Sequence, residues 1–162
     1  MKKENIPVII LAAAVILMTL FVFSNSFKGS EQSGNESSIV AKFIEPLFDT
    51  LFGEGHGINV NFLVRKAAHF TEFCALAVLC ANFANSLKKR FGFSLLGYTL
   101  FYLLAVAVCD EFIQSFTGRG SSVRDVMIDF SGALFGVGIV YAVCEIKKHI
   151  ARKESQLEEN DK

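Results

Sequence analysis

The sequence predicts an all-α integral membrane protein with four transmembrane helices and a short amphipathic surface helix, on three observations. The mean hydropathy of the 162 residues is positive, which puts the chain among membrane proteins rather than small soluble domains, and 17 Phe with no Trp fit that class. Four apolar segments, at residues 6–23 and about 67–87, 93–116 and 123–146, are each long enough at about 1.5 Å per residue to cross a hydrocarbon core of roughly 30 Å. Between and after these segments the basic residues are clustered rather than spread. With a formal net charge of zero there is no global basic field, which argues against nucleic acid as a partner.

Helix 1, IPVIILAAAVILMTLFVF, is uncharged throughout and follows Lys2 and Lys3. It exceeds the usual apolar length of a signal peptide and no A-x-A-like site follows it, so it reads as a membrane anchor. Residues 24–38, SNSFKGSEQSGNESS, bury too little apolar surface to offset chain entropy and read as a flexible linker. In residues 39–53, Ile39, Phe43, Leu47, Phe48, Leu51 and Phe52 recur at helical spacing opposite Lys42, Glu45 and Asp49. This predicts an amphipathic helix at the membrane surface, with Pro46 kinking or restarting it. Residues 53–61 are a turn-rich connector, so residues 24–64 together form one segment on one side of the membrane, before the three core helices.

Lys2, Lys3, Lys88, Lys89, Arg90, Lys147, Lys148, Arg152 and Lys153 fall on one side of a four-span arrangement. By the positive-inside rule that side is cytoplasmic, which puts both termini and the tail 147–162 inside a bacterial cytoplasmic membrane. Lys28, Lys42, Arg65, Lys66, Arg119 and Arg124 fall on the other side, and four of those six adjoin the spans themselves. The four cysteines, Cys74, Cys80, Cys109 and Cys144, lie within apolar segments without CxxC spacing and read as packed or lipid-facing small hydrophobes, not a disulfide framework.

Ionisable residues collect at the outer ends of the core spans. Arg65, His69 and Glu72 share one face of the second span. Asp110 and Gln114 lie one turn apart near the end of the third, with Glu111 beside them, and Asp125 and Asp129 lie one turn apart at the start of the fourth. A charge at mid-bilayer costs on the order of 3 kcal/mol, so such groups pair, face the bundle interior or line a wet cavity. Five acids against Arg65, Lys66, Arg119, Arg124 and the titratable His69 allow mutual neutralisation, and a buried ion-pair cluster that only pins helices is the structural alternative to a site. Ser121 or Ser122 is expected to cap the fourth span, and the GxxxG of Gly132 and Gly136 is expected to serve close helix packing.

These residue types bear on several chemistries. HxxE and DExxQ carry metal-binding residue types, but a helix-bundle metal site repeats the Glu-x-x-His spacing and here it occurs once. No resident metal or other cofactor is expected. HExxH, GxSxG and phosphate-loop motifs are missing. Arginines beside glycine-rich turns suit bidentate recognition of an anion, with His69 or an acid such as Glu111 handling a proton.

RKxAHFxEF, then DExxQ, GR and RDVxxDxxGAxxG, resembles the VanZ-like family of small bacterial membrane proteins. The pattern is carried by Arg65, Lys66, His69, Phe70, Glu72, Asp110, Glu111, Gln114, Gly118, Arg119, Asp125, Asp129, Gly132 and Gly136, over roughly residues 65–140. Where the family often has a His within DExxQ and a Pro before GR, this chain has Ile113 and Thr117. The first departure weakens any mechanism needing a second imidazole, and the second affects loop stiffness. The resemblance implies an association with susceptibility to teicoplanin, a lipid-tailed glycopeptide antibiotic that acts outside the cytoplasmic membrane.

The resulting expectation is a pocket at the outer face, formed by Arg65, Lys66, His69, Glu72, Asp110, Glu111, Gln114, Arg119, Arg124, Asp125 and Asp129. Its partners would be membrane lipids and an anionic headgroup, a cell-envelope precursor or a lipoglycopeptide. Two rivals remain: an intramembrane hydrolase or transferase acting on a lipid-linked substrate with His69 and Glu111 as acid and base, and a structural scaffold.

Overall fold

A computed structural model describes residues 6–160 apart from Glu54 and His56, with only the backbone for Lys89 and residues 158–160. Lys2, Lys3 and the last two residues of the predicted tail lie outside the described residues. Five helices follow one another: α1 (Ile6–Ser26), α2 (Ser30–Phe52), α3 (Val60–Phe91), α4 (Leu96–Phe116) and α5 (Val123–Asn160). Four of them, all but α2, are long and apolar enough to cross a membrane, as the segment pattern predicts.

The ends of these helices follow from local chemistry. The Asn59 side chain accepts the Phe62 N–H at 2.9 Å and caps α3, satisfying one of the donors a helix start leaves free. Gly92, with φ +80°, closes α3 by donating its N–H to the Lys88 carbonyl, a left-handed position that favours glycine. Ser122 caps α5, its Oγ accepting the Arg124 N–H at 3.2 Å.

Three boundaries differ from the sequence reading. Residues 24–38 are not a flexible linker: Ser24, Asn25 and Ser26 complete α1, and α2 begins at Ser30 and runs through Pro46 without a break. The serines are held in the helices by bonds back to carbonyls, Ser24 to Phe21, Ser37 to Ser33 and Ser38 to Asn35. Ser37 also donates to Asn61 Oδ1 at the start of α3, and Lys28 pairs with Glu36 at 2.9 Å. Tertiary contacts thus override weak helix propensity. The second span begins at Val60 rather than 67, so Arg65 and Lys66 lie inside α3. Residues 147–160 continue α5 instead of forming a separate tail, a lysine- and glutamate-rich stretch of good helix formers.

The core is built from small and medium side chains: Phe73, Leu76, Ala77 and Ala81 of α3, Leu103, Val106 and Ala107 of α4, Ala133, Val137 and Val140 of α5, and Val22 of α1. Helices α3 and α5 approach most closely. A Cβ on Gly132 would lie 2.3 Å from the Phe70 carbonyl oxygen, and one on Gly136 would lie 2.4 Å from that of Cys74, so the GxxxG is a backbone-to-backbone contact. Large apolar residues such as Tyr98, Phe101, Phe112, Phe116 and Phe135 face outward, as expected of surfaces solvated by lipid. On α2 the exposed stripe is Ile39, Phe43, Leu47 and Leu51, an unpartnered apolar face suited to the membrane interface. All four cysteines are free, and Cys144 Sγ receives a hydrogen bond from Asn85 at 3.6 Å.

Candidate functional site

The polar residues of α3, α4 and α5 converge where α1 ends. Asp110, Glu111, Gln114, Arg119 and Asp129 are all buried, with Asp110 at 0% and Asp129 at 1% exposure. The packing that brings them together is the glycine contact: Asp129 precedes Gly132 by one turn and His69 immediately precedes Phe70, so the close approach of α5 to α3 carries the carboxylate to the imidazole. His69 Nδ1 lies 3.5 Å from Asp129 Oδ1 and 3.8 Å from Asp110 Oδ2.

Each acid has its own environment. Asp110 accepts from the Ser26 hydroxyl at Oδ1 and from the Gln114 amide at Oδ2, the latter at 2.6 Å. Gln114 therefore orients Asp110 and faces the bundle interior. Glu72 accepts from Asn25 Nδ2 at 2.8 Å. Glu111 accepts the Ser122 N–H at 2.9 Å, which anchors the α4–α5 turn to the end of α4. Asp125 pairs with Lys66 at 2.5 Å, both side chains mostly buried, and this pair ties α3 to the start of α5. Asp129 differs from the other four: neither carboxylate oxygen has a hydrogen-bond partner among the described residues.

Arg119 enters from the turn between α4 and α5. Its Nη1 donates to the Asn25 carbonyl at 3.4 Å, and its Nη2 lies 3.2 Å from His69 Nε2. A guanidinium only donates, so Nε2 accepts and the ring hydrogen sits on Nδ1, toward the carboxylates. Burial, then the charge of nearby Arg65, pull the Arg119 pKa below its ordinary value. The Nε atoms of both Arg65 and Arg119 are buried without a hydrogen-bond partner among the described residues. A cavity of about 200 Å³ adjoins them, lined among others by Asn25, Glu36, Arg65, His69, Glu72 and Arg119.

Most of the residues singled out in the sequence therefore meet, but not all in one pocket. Arg65, His69, Glu72 and Arg119 line the cavity, and Asp110 and Asp129 lie behind His69. Lys66, Asp125, Glu111 and Gln114 brace the helices around it. Arg124 is exposed at the start of α5 and does not join the group. Asn25, Ser26 and Lys28 adjoin the cluster or the cavity, which the sequence reading missed by assigning them to a linker. Their only signal was three polar residues ending an apolar run. Thr117, at the position where proline was expected, donates to the Ser26 and Gln114 carbonyls at 3.3 and 3.0 Å. The turn is thus tied to α1 by a hydrogen bond in place of a stiff ring.

No curated protein and no solved structure matches the chain. The sequence profile of the VanZ/LLP1 family matches residues 8–145, a span that takes in nearly all of α1, the core helices up to residue 145 of α5 and the whole polar cluster, and the chain belongs to that family.

Proposed function

We propose that this VanZ-family protein binds the anionic headgroup of a lipid or lipid-linked envelope precursor in the cavity beside Arg65 and Arg119, and thereby influences susceptibility to teicoplanin-type glycopeptides. The observation that carries this reading is the pair of neighbouring guanidiniums whose buried Nε atoms have no hydrogen-bond partner among the described residues. Their mutual repulsion and desolvation are offset when a phosphate oxygen sits between them. In this reading the protein lies in the bacterial cytoplasmic membrane with both termini inside. Lys88, Arg90, Lys147 and Lys148 lie at the opposite end of the bundle from the cavity, which accords with a cavity on the outer face. The exposed apolar stripe of α2 lies beside the cavity, since Ser33, Glu36 and Ser37 of that helix line it, and would rest in the outer interface where headgroups are found.

The test is binding of phosphatidylglycerol and of a polyprenyl phosphate to the protein in zwitterionic nanodiscs, followed by native mass spectrometry. Wild type is expected to retain an anionic lipid that Arg119→Ala loses by at least tenfold, with Arg124→Ala unaffected. Equal retention by wild type and Arg119→Ala overturns the reading.

A hydrolase or transferase is favoured by one observation: His69 lines the cavity with Nδ1 facing Asp110 and Asp129, which orients the ring as a general base whose Nε2 would be freed when Arg119 turns to a substrate anion. Glu111, the other expected catalytic residue, is engaged with the Ser122 N–H, so His69 alone would carry proton transfer. Release of inorganic phosphate from a polyprenyl phosphate, abolished in His69→Gln, would establish this activity.

A further inference from the structure

We propose that His69, Asp110 and Asp129 form a binding site for a divalent transition-metal cation, which goes beyond anion binding at the arginines and does not depend on it. One donor atom from each of the three residues lies within 4.8 Å of the others, and each comes from a different helix, α3, α4 and α5. A tetrahedral centre with bonds of about 2.1 Å holds its donors roughly 3.4 Å apart. The observed separations of 3.5 Å and 3.8 Å from His69 Nδ1 are close to that spacing.

The independent observation is Asp129. Its side chain is 1% exposed, it points into the cluster, and beyond the 3.5 Å approach of His69 Nδ1, itself a donor of the site, neither oxygen has a hydrogen-bond partner among the described residues. Leaving such a group unsatisfied in an apolar bundle costs free energy that a cation would recover. Asp110, by contrast, is held by Ser26 and Gln114, the supporting bonds that orient metal-binding carboxylates. One imidazole and two carboxylates suit zinc or manganese better than magnesium or calcium, which take oxygen donors throughout. Three protein donors leave coordination positions open for water or an anionic oxygen.

A consequence follows at His69. A cation on Nδ1 leaves the ring hydrogen on Nε2, which can then no longer accept from Arg119 Nη2. The arginine contact and the cation are therefore mutually exclusive, and removing the guanidinium leaves the donor atoms intact.

The experiment is metal titration of the full chain in nanodiscs after chelator treatment, with Zn²⁺ and Mn²⁺ as separate probes, read by elemental analysis after gel filtration and by the manganese electron paramagnetic resonance signal. Wild type is expected to hold one equivalent of at least one of the two. Asp129→Asn and Asp110→Asn should each weaken binding at least tenfold while keeping wild-type helicity, and Arg119→Ala should bind at least as well as wild type. Two variants keep the test decisive should one fail to fold. Wild type without stoichiometric metal, a folded Asp129→Asn that binds as well as wild type, or a loss in Arg119→Ala equal to that in Asp129→Asn overturns the site.

Discussion

Replacing Gly132 by Ala adds one methyl group where α5 meets α3. The new Cβ would stand 2.3 Å from the Phe70 carbonyl oxygen, against 3.4 Å or more in ordinary contact. The obstacle is helix backbone, which has no flexible end to move aside, so α5 must retreat by about 1 Å at this level. Overpacking of this kind costs about 1–3 kcal/mol, opposed by the roughly 1 kcal/mol that alanine contributes over glycine inside a helix. Gly138 lies on the same helix and a Cβ there would meet nothing within 4 Å, so Gly138→Ala retains the propensity gain without the clash. Thermal unfolding in detergent, followed by far-ultraviolet circular dichroism, should therefore place Gly132→Ala below wild type and Gly138→Ala at or above it. The same displacement widens the 3.5 Å gap between His69 and Asp129, so Gly132→Ala should also weaken whatever binds there, without touching a polar atom. If Gly132→Ala matches Gly138→Ala in both stability and binding, close approach of α5 does not position Asp129.

Two further substitutions test the bracing around the cavity. Lys66→Met leaves Asp125 unpaired beside Glu111. The cost should fall between the roughly 1 kcal/mol ceiling of an exposed pair and the roughly 3 kcal/mol of a buried one, and most of it should be recovered in the double variant Lys66→Met/Asp125→Leu, measured by the same unfolding assay. Ser26→Ala removes the hydroxyl donor to Asp110 Oδ1 in a fully buried position and should lower stability by about 1–2 kcal/mol. A neutral result in a Ser26→Ala protein of unchanged helicity would mean that α1 is not fastened to α4 through this contact.

The four spans were legible because lipid imposes a coarse requirement: enough consecutive apolar residues for each helix, whatever the packing. The polar cluster was legible for the same reason, since Asp110 and Asp129 have no apolar excuse within a span. What the sequence did not disclose depends on distance in three dimensions. Ser24, Asn25 and Ser26 have the composition of a loop, and only the partners at Phe21, Glu72 and Asp110 make them the polar end of α1. Likewise α2 looks like a linker over Ser30–Ser38 until Ser37 meets Asn61. The candidate cation site was discounted because a repeated Glu-x-x-His spacing was missing. Its three donors lie on three helices, so no spacing along one helix could have revealed it.

The distribution of partners bears on whether the cluster merely fastens helices together. A packing device in lipid would be expected to neutralise its charges by direct contact, because every unpaired ion there is costly. Lys66 and Asp125 do so, and Glu72, Glu111 and Asp110 are each satisfied by neutral donors. Among the described residues, the buried side-chain atoms without a hydrogen-bond partner are the carboxylate oxygens of Asp129 on one side of His69 and the Nε atoms of Arg65 and Arg119 on the other. Unused hydrogen-bonding capacity, acceptors on one side and donors on the other, is thus left on the two sides of a single imidazole, next to a cavity. That arrangement is costly for stability alone, and the two proposed ligands, an anion at the arginines and a cation at the carboxylates, would each relieve it.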